Sequence, residues 1–319
     1  MNGDICEPIE KRVQVKVLAV GITQQVRLRA TSNHPVTGSE TGPFDPSTEG
    51  IVQDETTGDM YYAIPNGACL LSERINIAKD KLIKLSPNTN PIRAAALLGP
   101  WLTGLSLLLH CQGRKVLIVG VTTCNGRAAA VIARWLGASA IIGLSDDNDA
   151  LMTVPGLTIR THITKPIRLP KLNGINIILD FIGGETGIQV IAQTNNAPED
   201  GAPINFRSPK PKAKPLLYSP AWGPRGGEPF VVDSSMMVGK NLQILDPALS
   251  LWRLTSSKMR NTLRLGLRLM ERLETTPYDI MAKPMAEVES FWDEEDIKSL
   301  KKMLVLLPSK AGPKVGAKV

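Results

Sequence analysis

The chain has 319 residues with 43% hydrophobic and 21% charged content, the balance of a folded protein and not of a disordered or collagen-like one. Its net charge is +7, yet Arg207, Lys210, Lys212, Lys214 and Arg225 lie in one acid-free stretch and Lys310, Lys314 and Lys318 in another. These cations account for the whole excess, so the remainder is near neutral and no nucleic-acid partner is expected.

No apolar run approaches the roughly 20 residues of a membrane-spanning helix. The opening MNGDICEPIEKR lacks the basic-then-apolar order of a secretory signal. Four scattered cysteines and three scattered histidines (His34, His110, His162) offer no pair at metal-ligand spacing. The expectation is a cytoplasmic protein with reduced thiols, no metal and no membrane association.

Along the chain, Val13, Val15 and Val17 alternate with Gln14 and Lys16, which predicts a strand over 13–20. Residues 31–60 are rich in Thr, Ser, Gly, Pro and Asp and predict loops between short strands. A short strand over 60–64 should lead into the turn Pro65-Asn66-Gly67, with further strands within 68–77 and 81–85. Residues 1–90 thus predict a small β domain.

From Ile92 to about His110 the Ala- and Leu-rich sequence predicts a helix, interrupted at Gly99-Pro100. Lys115–Gly120 predicts a buried strand, and Gly126 should open a helix over 127–136 that Gly137 closes. Further buried strands are expected at 140–142 and 175–180. Strand and helix in alternation predict an α/β fold with a parallel sheet covered on both faces.

Eight of the 24 prolines fall within 198–229, which predicts an insertion without regular structure, its part 207–225 dispensable for folding. Ser256–Thr275 predicts a helix with Met259, Leu263, Leu267, Met270 and Leu273 along one side. Arg260, Arg264, Arg268 and Arg272 make a solvated stripe on it, within reach of Glu271 and Glu274. Met303–Leu307 predicts a last strand before a flexible tail at 309–319. We detect no internal repeat.

One segment carries most of the chemical information. Val116–Val119, the Gly120–Gly126 turn and the following Ala-rich run form a strand, a glycine-bounded turn and a helix. Dinucleotide binding needs such a unit: the turn admits the pyrophosphate close to the backbone, and the helix N-terminus offers N–H groups and a positive dipole end.

Taken with VKVLAVG (15–21), PFDPSTEGIV (43–52), NGACLLSERINIAKDKLIKL (66–85), AAALLGPWLTG (94–104), IILDFIGG (177–184) and MLVLLP (303–308), the chain resembles the medium-chain dehydrogenase/reductase superfamily, in its zinc-free, quinone-oxidoreductase-like branch. The resemblance covers roughly residues 13–308. It implies a GroES-like β domain plus a Rossmann doubly wound parallel sheet. The boundaries expected are 1–90 for the β domain, 91–250 for the Rossmann domain with its 198–229 insertion, and 251–308 for the return to the β domain. The cofactor is then expected in the cleft between the two domains.

The resemblance further implies an NAD(P)H-dependent oxidoreductase that passes hydride to a quinone or an activated enone. The substrate would be a small hydrophobic carbonyl compound, and the protein a homodimer through the Rossmann domain. The cofactor-binding candidates are Gly120, Thr122, Thr123, Cys124, Asn125, Gly126 and Asp146. No catalytic residue is fixed; Tyr62, beside Tyr61, is the candidate proton donor.

Three departures from the family pattern shape the expectations. Ser47-Thr48-Glu49-Gly50 stands where zinc-dependent relatives carry Gly-His-Glu, so no zinc is expected. Thr123 and Cys124 replace turn glycines, and a side chain at Thr123 should crowd the pyrophosphate. Asp146 stands where relatives using the phosphorylated cofactor place a cation, so NADH should be favoured over NADPH. The altered turn also leaves a second reading, a redox-inactive relative acting as an auxiliary or binding protein. Asp180, at the end of its strand, is expected to cap a loop.

Overall fold

Arg12–Ile22 (β1) organises the first half of the protein. Its alternating valines bury one face, and its last four residues are wholly buried. A strand this long serves several neighbours: it pairs antiparallel with Arg74–Ala78 (β4), with Gly50–Gln53 (β2) and, through Val20–Ile22, with Lys302–Leu307 (β13). A register shift between Val17 and Ala19 interrupts its ladder with β2.

The protein is described by a computed structural model covering residues 12–32, 44–63, 69–108, 111–164, 166–170, 173–194, 216–220, 234, 237, 241–244, 256–295 and 301–308. It divides into two units, residues 1–100 with 263–319, and residues 101–262.

In the first unit the strand order is β12-β13-β1-β2-β3-β5 with β4 on β1, where β3 is Met60–Ala63, β5 Leu82–Lys84 and β12 Asp279–Pro284. Val15, Val17, Val20, Ile22, Val52, Leu70, Leu304 and Leu306 fill its core. The chain returns after residue 262 to add β12 and β13 to a sheet begun at residue 12. The short helix Gln24–Ala30 (α1) has no counterpart in the sequence reading. Arg27 holds it in place, donating to the Trp292 carbonyl and lying 4.6 Å over the Trp292 ring.

Helix Pro91–Leu108 (α2) runs unbroken through Pro100, against the expected interruption. Pro100 has no N–H to offer the Ala96 carbonyl four residues back. The buried Tyr278 hydroxyl donates to that carbonyl instead, at 3.0 Å. Satisfying the freed acceptor from outside the helix lets the helix continue through a residue that ordinarily ends it.

In the second unit six strands form one parallel sheet in the order β11-β10-β9-β6-β7-β8. These are Lys115–Val119 (β6), Ala140–Ser145 (β7), Ile159–His162 (β8), Ile175–Asp180 (β9), Leu216–Pro220 (β10) and Leu242–Ile244 (β11). Numbered within the sheet, this is the doubly wound order 3-2-1-4-5-6 read from the other edge. The central strands β6 and β9 are buried along almost their whole length, as a sheet covered on both faces requires. Cys124–Trp135 (α3), Asn148–Met152 (α4) and Gly184–Gln193 (α5) follow β6, β7 and β9.

The proline-rich stretch needs correction. Leu216–Pro220 lies inside 198–229 and forms β10, between β9 and β11, with Leu216 and Tyr218 fully buried. The proline count over the whole window masked a five-residue run, LLYSP, with enough apolar surface to enter the core. Its proline falls at the strand's end, where a missing donor disrupts the ladder least. Residues 207–225 are therefore not dispensable, since deleting them removes an inner strand. The rest of 198–229, the 65–67 turn and the 309–319 tail lie outside the described residues.

Smaller differences concern boundaries. Only 74–78 of the segment 68–77 and beyond forms a strand, and the later helix is Ser256–Arg272 (α6). Helix α3 begins at Cys124 and not after Gly126. Arg264, Arg268 and Arg272 face solvent, as the stripe implied.

Removing the Tyr278 hydroxyl should strand the Ala96 carbonyl, so Tyr278→Phe should cost about 1–3 kcal/mol in urea unfolding. In a Pro100→Ala background the helix supplies its own N–H, and the same change should cost less than half as much. Equal costs in both backgrounds would show that the hydroxyl does not substitute for the missing helical bond.

Candidate functional site

The turn after β6 is built from few atoms. Gly120 has φ +72°, and a Cβ there would stand 2.8 Å from Ile182 Cγ1. Its N–H and that of Val121 both donate to the Leu144 carbonyl of β7. At Gly126 a Cβ would overlap the Gly120 carbonyl and stand 2.6 Å from Val121 Cα, so only glycine lets α3 begin this close to the turn.

Thr123 does not crowd the turn; it closes it. Its backbone (φ −71°, ψ 159°) is ordinary extended geometry that needs no glycine. Its hydroxyl donates to the Gly120 carbonyl at 2.8 Å and accepts from Gly126 N–H at 3.1 Å. Thr123 is thus the N-cap of α3, satisfying one of the helix's four orphan donors. Cys124 follows, 1% exposed, filling space under the first turn. No acid stands in that turn to neutralise its positive end.

Six of the candidate residues, Gly120 and Thr122 to Gly126, form one continuous turn and helix start. The seventh, Asp146, is brought beside them by a side-chain bridge: Thr122 Oγ1 and Ser145 Oγ lie 2.9 Å apart and buried. Ser145 Oγ also accepts the Asp147 N–H. Asp146 itself is exposed, immediately beyond β7. Its carbonyl lies 3.0 Å from Nε2 of His162, which ends β8 next to Ser145. This edge of the sheet is where α/β folds place ligands, at the carboxyl ends of the strands.

Asp180 caps a loop, as expected. One carboxylate oxygen accepts the N–H groups of Ile182 and Gly183, each at 2.9 Å, and the other accepts the buried Tyr218 hydroxyl at 2.6 Å. Burial pushes its pKa up, against the pull of these three donors. The acid fixes the β9 loop beside Gly120, where β6 and β9 meet at the point of reversal in strand order.

Tyr62 belongs to the other unit and is 1% exposed. Its hydroxyl donates to the Glu49 carboxylate in a short, buried bond. Burial raises the Glu49 carboxyl to about 7, opposed by the Tyr62 hydrogen bond. Burial, with Glu49 beside it, also pushes the phenol pKa up. A Cβ at Gly99 would overlap this carboxylate, so α2 approaches it through a glycine.

The hydrogen-bonding roles of Glu49 and His162 and the capping role of Thr123 escaped the sequence reading. Thr123 had a signal, a threonine three residues before a buried glycine at a helix start. Glu49 had none, because nothing in the local sequence tells a buried carboxylate from an exposed one. Among the described residues no three His, Cys, Asp or Glu side chains converge on a metal-sized space, and no helix is long and apolar enough to cross a membrane.

No family model matches the chain. Across 93% of its length it is 28% identical to a "probable NADPH-dependent quinone reductase" of Emericella nidulans, over 93% of that protein. Its fold is similar to the quinone oxidoreductase of Thermus thermophilus (TM-score 0.67, 18% identity, 96% of this chain and 95% of that one). It is also similar to a mycobacterial protein solved with NADPH (TM-score 0.75, 15% identity, 97% and 94%). These likenesses bear out the resemblance to the quinone-oxidoreductase-like branch of the medium-chain dehydrogenase/reductase superfamily. They also bear out the fold it implied, a GroES-like β domain with a Rossmann sheet.

Glu49 makes stability depend on pH with a definite sign. Its ordinary pKa of 4.5 holds in the unfolded chain, and burial raises it to about 7 in the folded one. Between these values the folded state keeps a proton that the unfolded state has shed. The contribution is complete below pH 4.5 and lost as pH rises through 7, on the order of 3 kcal/mol in all. Glu49→Gln, which still accepts from Tyr62, should flatten urea midpoints between pH 5 and 8. An equal fall in wild type and variant would place that titration elsewhere.

Proposed function

We propose that the protein is an NAD(P)H-dependent oxidoreductase that reduces a quinone or an activated enone. The observation that carries this reading is the intact β6–α3 turn: despite its altered sequence it keeps a positive-φ glycine, a glycine-only contact between turn and helix, and an acid-free helix N-terminus. The likeness over nearly the full chain to a quinone reductase supports the substrate class. Reading the turn as degraded, and the protein as redox-inactive, loses its main support once Thr123 is seen to cap the helix.

In this reading Gly120, Thr122, Thr123, Cys124, Asn125 and Gly126 receive the pyrophosphate. Gly120 and Gly126 let the backbone come close, and the first turn of α3 directs its N–H groups and dipole at the anion. The β7 end, with Ser145 and Asp146, receives the ribose. When bound, the nicotinamide supplies a hydride, so that with one proton a quinone leaves as a hydroquinone and the cofactor leaves oxidised. We assign that proton to water, because Tyr62 is buried and its proton is held by Glu49. The chain's contribution is then positioning and exclusion of competing reactions.

Two groups at neighbouring strand ends, Asp146 after β7 and His162 at the end of β8, act oppositely on cofactor choice. The exposed Asp146 carboxylate repels a 2′-phosphate, the ground for expecting NADH. The His162 ring stands against the Asp146 backbone and can meet a phosphate. The relatives' names carry NADPH, and we take NADPH as the cofactor, with Asp146 limiting the preference. The implied homodimer would form along β11, one of the two edge strands of this sheet among the described residues, whose Ile244 is 43% exposed.

The test is oxidation of NADPH, followed by absorbance, with a simple benzoquinone or naphthoquinone. Turnover is expected; a wild type that neither binds nor oxidises either cofactor would end this reading. Asp146→Asn should raise the NADPH-to-NADH preference on the order of fivefold by removing one exposed repulsion. Ile244→Lys should convert dimer to monomer in sedimentation, whereas a monomeric wild type would remove the dimer from the proposal.

A further inference from the structure

Arg127 is the fourth residue of α3. A cation so close to a helix N-terminus is unfavourably placed against the dipole, so its presence calls for a cause. Its side chain folds back from the helix: Nε donates to the Thr122 carbonyl at 3.1 Å. Nη2 reaches α4, donating to the Ala150 carbonyl at 3.1 Å and, at the helix C-cap, to Thr153 Oγ1 at 2.8 Å.

These bonds close a circuit. From Ala150 it continues through its N–H, which donates to Asp147 Oδ1 at 2.9 Å. The Asp147 N–H donates to Ser145 Oγ at 3.1 Å, and Ser145 Oγ meets Thr122 Oγ1 at 2.9 Å. The ring thus returns to Thr122, the residue whose carbonyl Arg127 holds. Within it lie both segments to which the function above assigns the cofactor, the Gly120–Gly126 turn and the Ser145–Asp147 loop. Arg127 alone supplies two of its links, and it brings the only full charge among the donors in the ring.

We propose that Arg127 is the positioning residue of the cofactor site. It fixes the spacing between the pyrophosphate turn and the ribose loop, and its charge offsets that of the incoming anion. This rests on the proposed dinucleotide site. A guanidinium suits the task because its planar fork reaches two carbonyls at once, whereas an ammonium donates from one point. The ring leaves Asp146 between two held neighbours, so Arg127 bears on cofactor choice as well as affinity.

The test compares full-length wild type, Arg127→Met and Arg127→Lys with NADPH and NADH at saturating quinone. Arg127→Met should raise KM for NADPH about tenfold, the scale of a lost charge-assisted bond, while kcat stays within about twofold. It should also narrow the difference between the two cofactors. Arg127→Lys should recover part of the affinity through its charge but not the discrimination. Without cofactor, Arg127→Met should speed hydrogen exchange in 120–127 and 145–153 together, a readout independent of turnover. If the wild type binds neither cofactor, the site itself is wrong and Arg127 loses its role. If the wild type binds but both variants match it in KM and preference, the site stands and the role of Arg127 falls.

Discussion

The second unit depends on how closely α3 starts to the end of β6. The Gly120 carbonyl, the Thr123 hydroxyl and the Gly126 N–H form a chain of two hydrogen bonds in which each atom answers a need of the backbone. Gly126 lies against the Gly120 carbonyl where no Cβ fits. Move the helix away and Thr123 no longer spans the gap, the α3 donors lose their cap, and the face that α3 packs on the sheet, Ala128, Ala129, Ile132 and Ala133, comes out of register. The residue that interrupts the expected glycine pattern therefore holds the geometry that glycines permit elsewhere. Glycine offers conformational freedom; threonine in extended geometry offers a bond, and here the backbone angles ask only for the second.

The two units each bury an acid against a tyrosine, with different consequences. Asp180 receives two backbone N–H groups besides the Tyr218 hydroxyl, so three donors oppose the cost of burial and the carboxylate anchors the loop after β9. Glu49 accepts the Tyr62 hydroxyl under complete burial, and its carboxyl is driven up to about 7. The number of donors, more than depth, separates an anchoring acid from a titrating one. Each acid also stands against a glycine, Gly187 for Asp180 and Gly99 for Glu49, because the helix that covers it must come within reach of a bare backbone.

Much of the fold was legible because periodicity survives averaging. The alternation in β1 and the unbroken apolar runs of β6 and β9 announce half-buried and fully buried strands. What stayed hidden was decided by contacts distant in sequence. Pro100 sits in a continuous helix because Tyr278, 178 residues further on, satisfies the carbonyl it leaves free. Strand β10 hid inside a proline-rich window because composition over thirty-odd positions says little about five of them. The candidate site was legible as a turn and a helix, and the structure gathers the candidate residues there. The residues that brace them, Arg127 and His162, were not, since a surface arginine and a brace arginine look alike until their carbonyl partners are known.

The same reasoning bears on why this turn tolerates so unusual a sequence. A glycine-rich turn leaves its shape to packing alone and keeps the pyrophosphate's approach open by having no side chains. Thr-Thr-Cys-Asn takes the opposite course, with its first three side chains tied down or buried. Thr122 reaches Ser145, Thr123 turns back onto the turn itself, and Cys124 is buried beneath the helix. Such a turn is stiffer than a glycine one, and its shape depends on the segment from the end of β7 into α4, to which Thr122 and Arg127 bind it. Substitutions in that segment therefore act on the turn as well, and the two segments behave as one element.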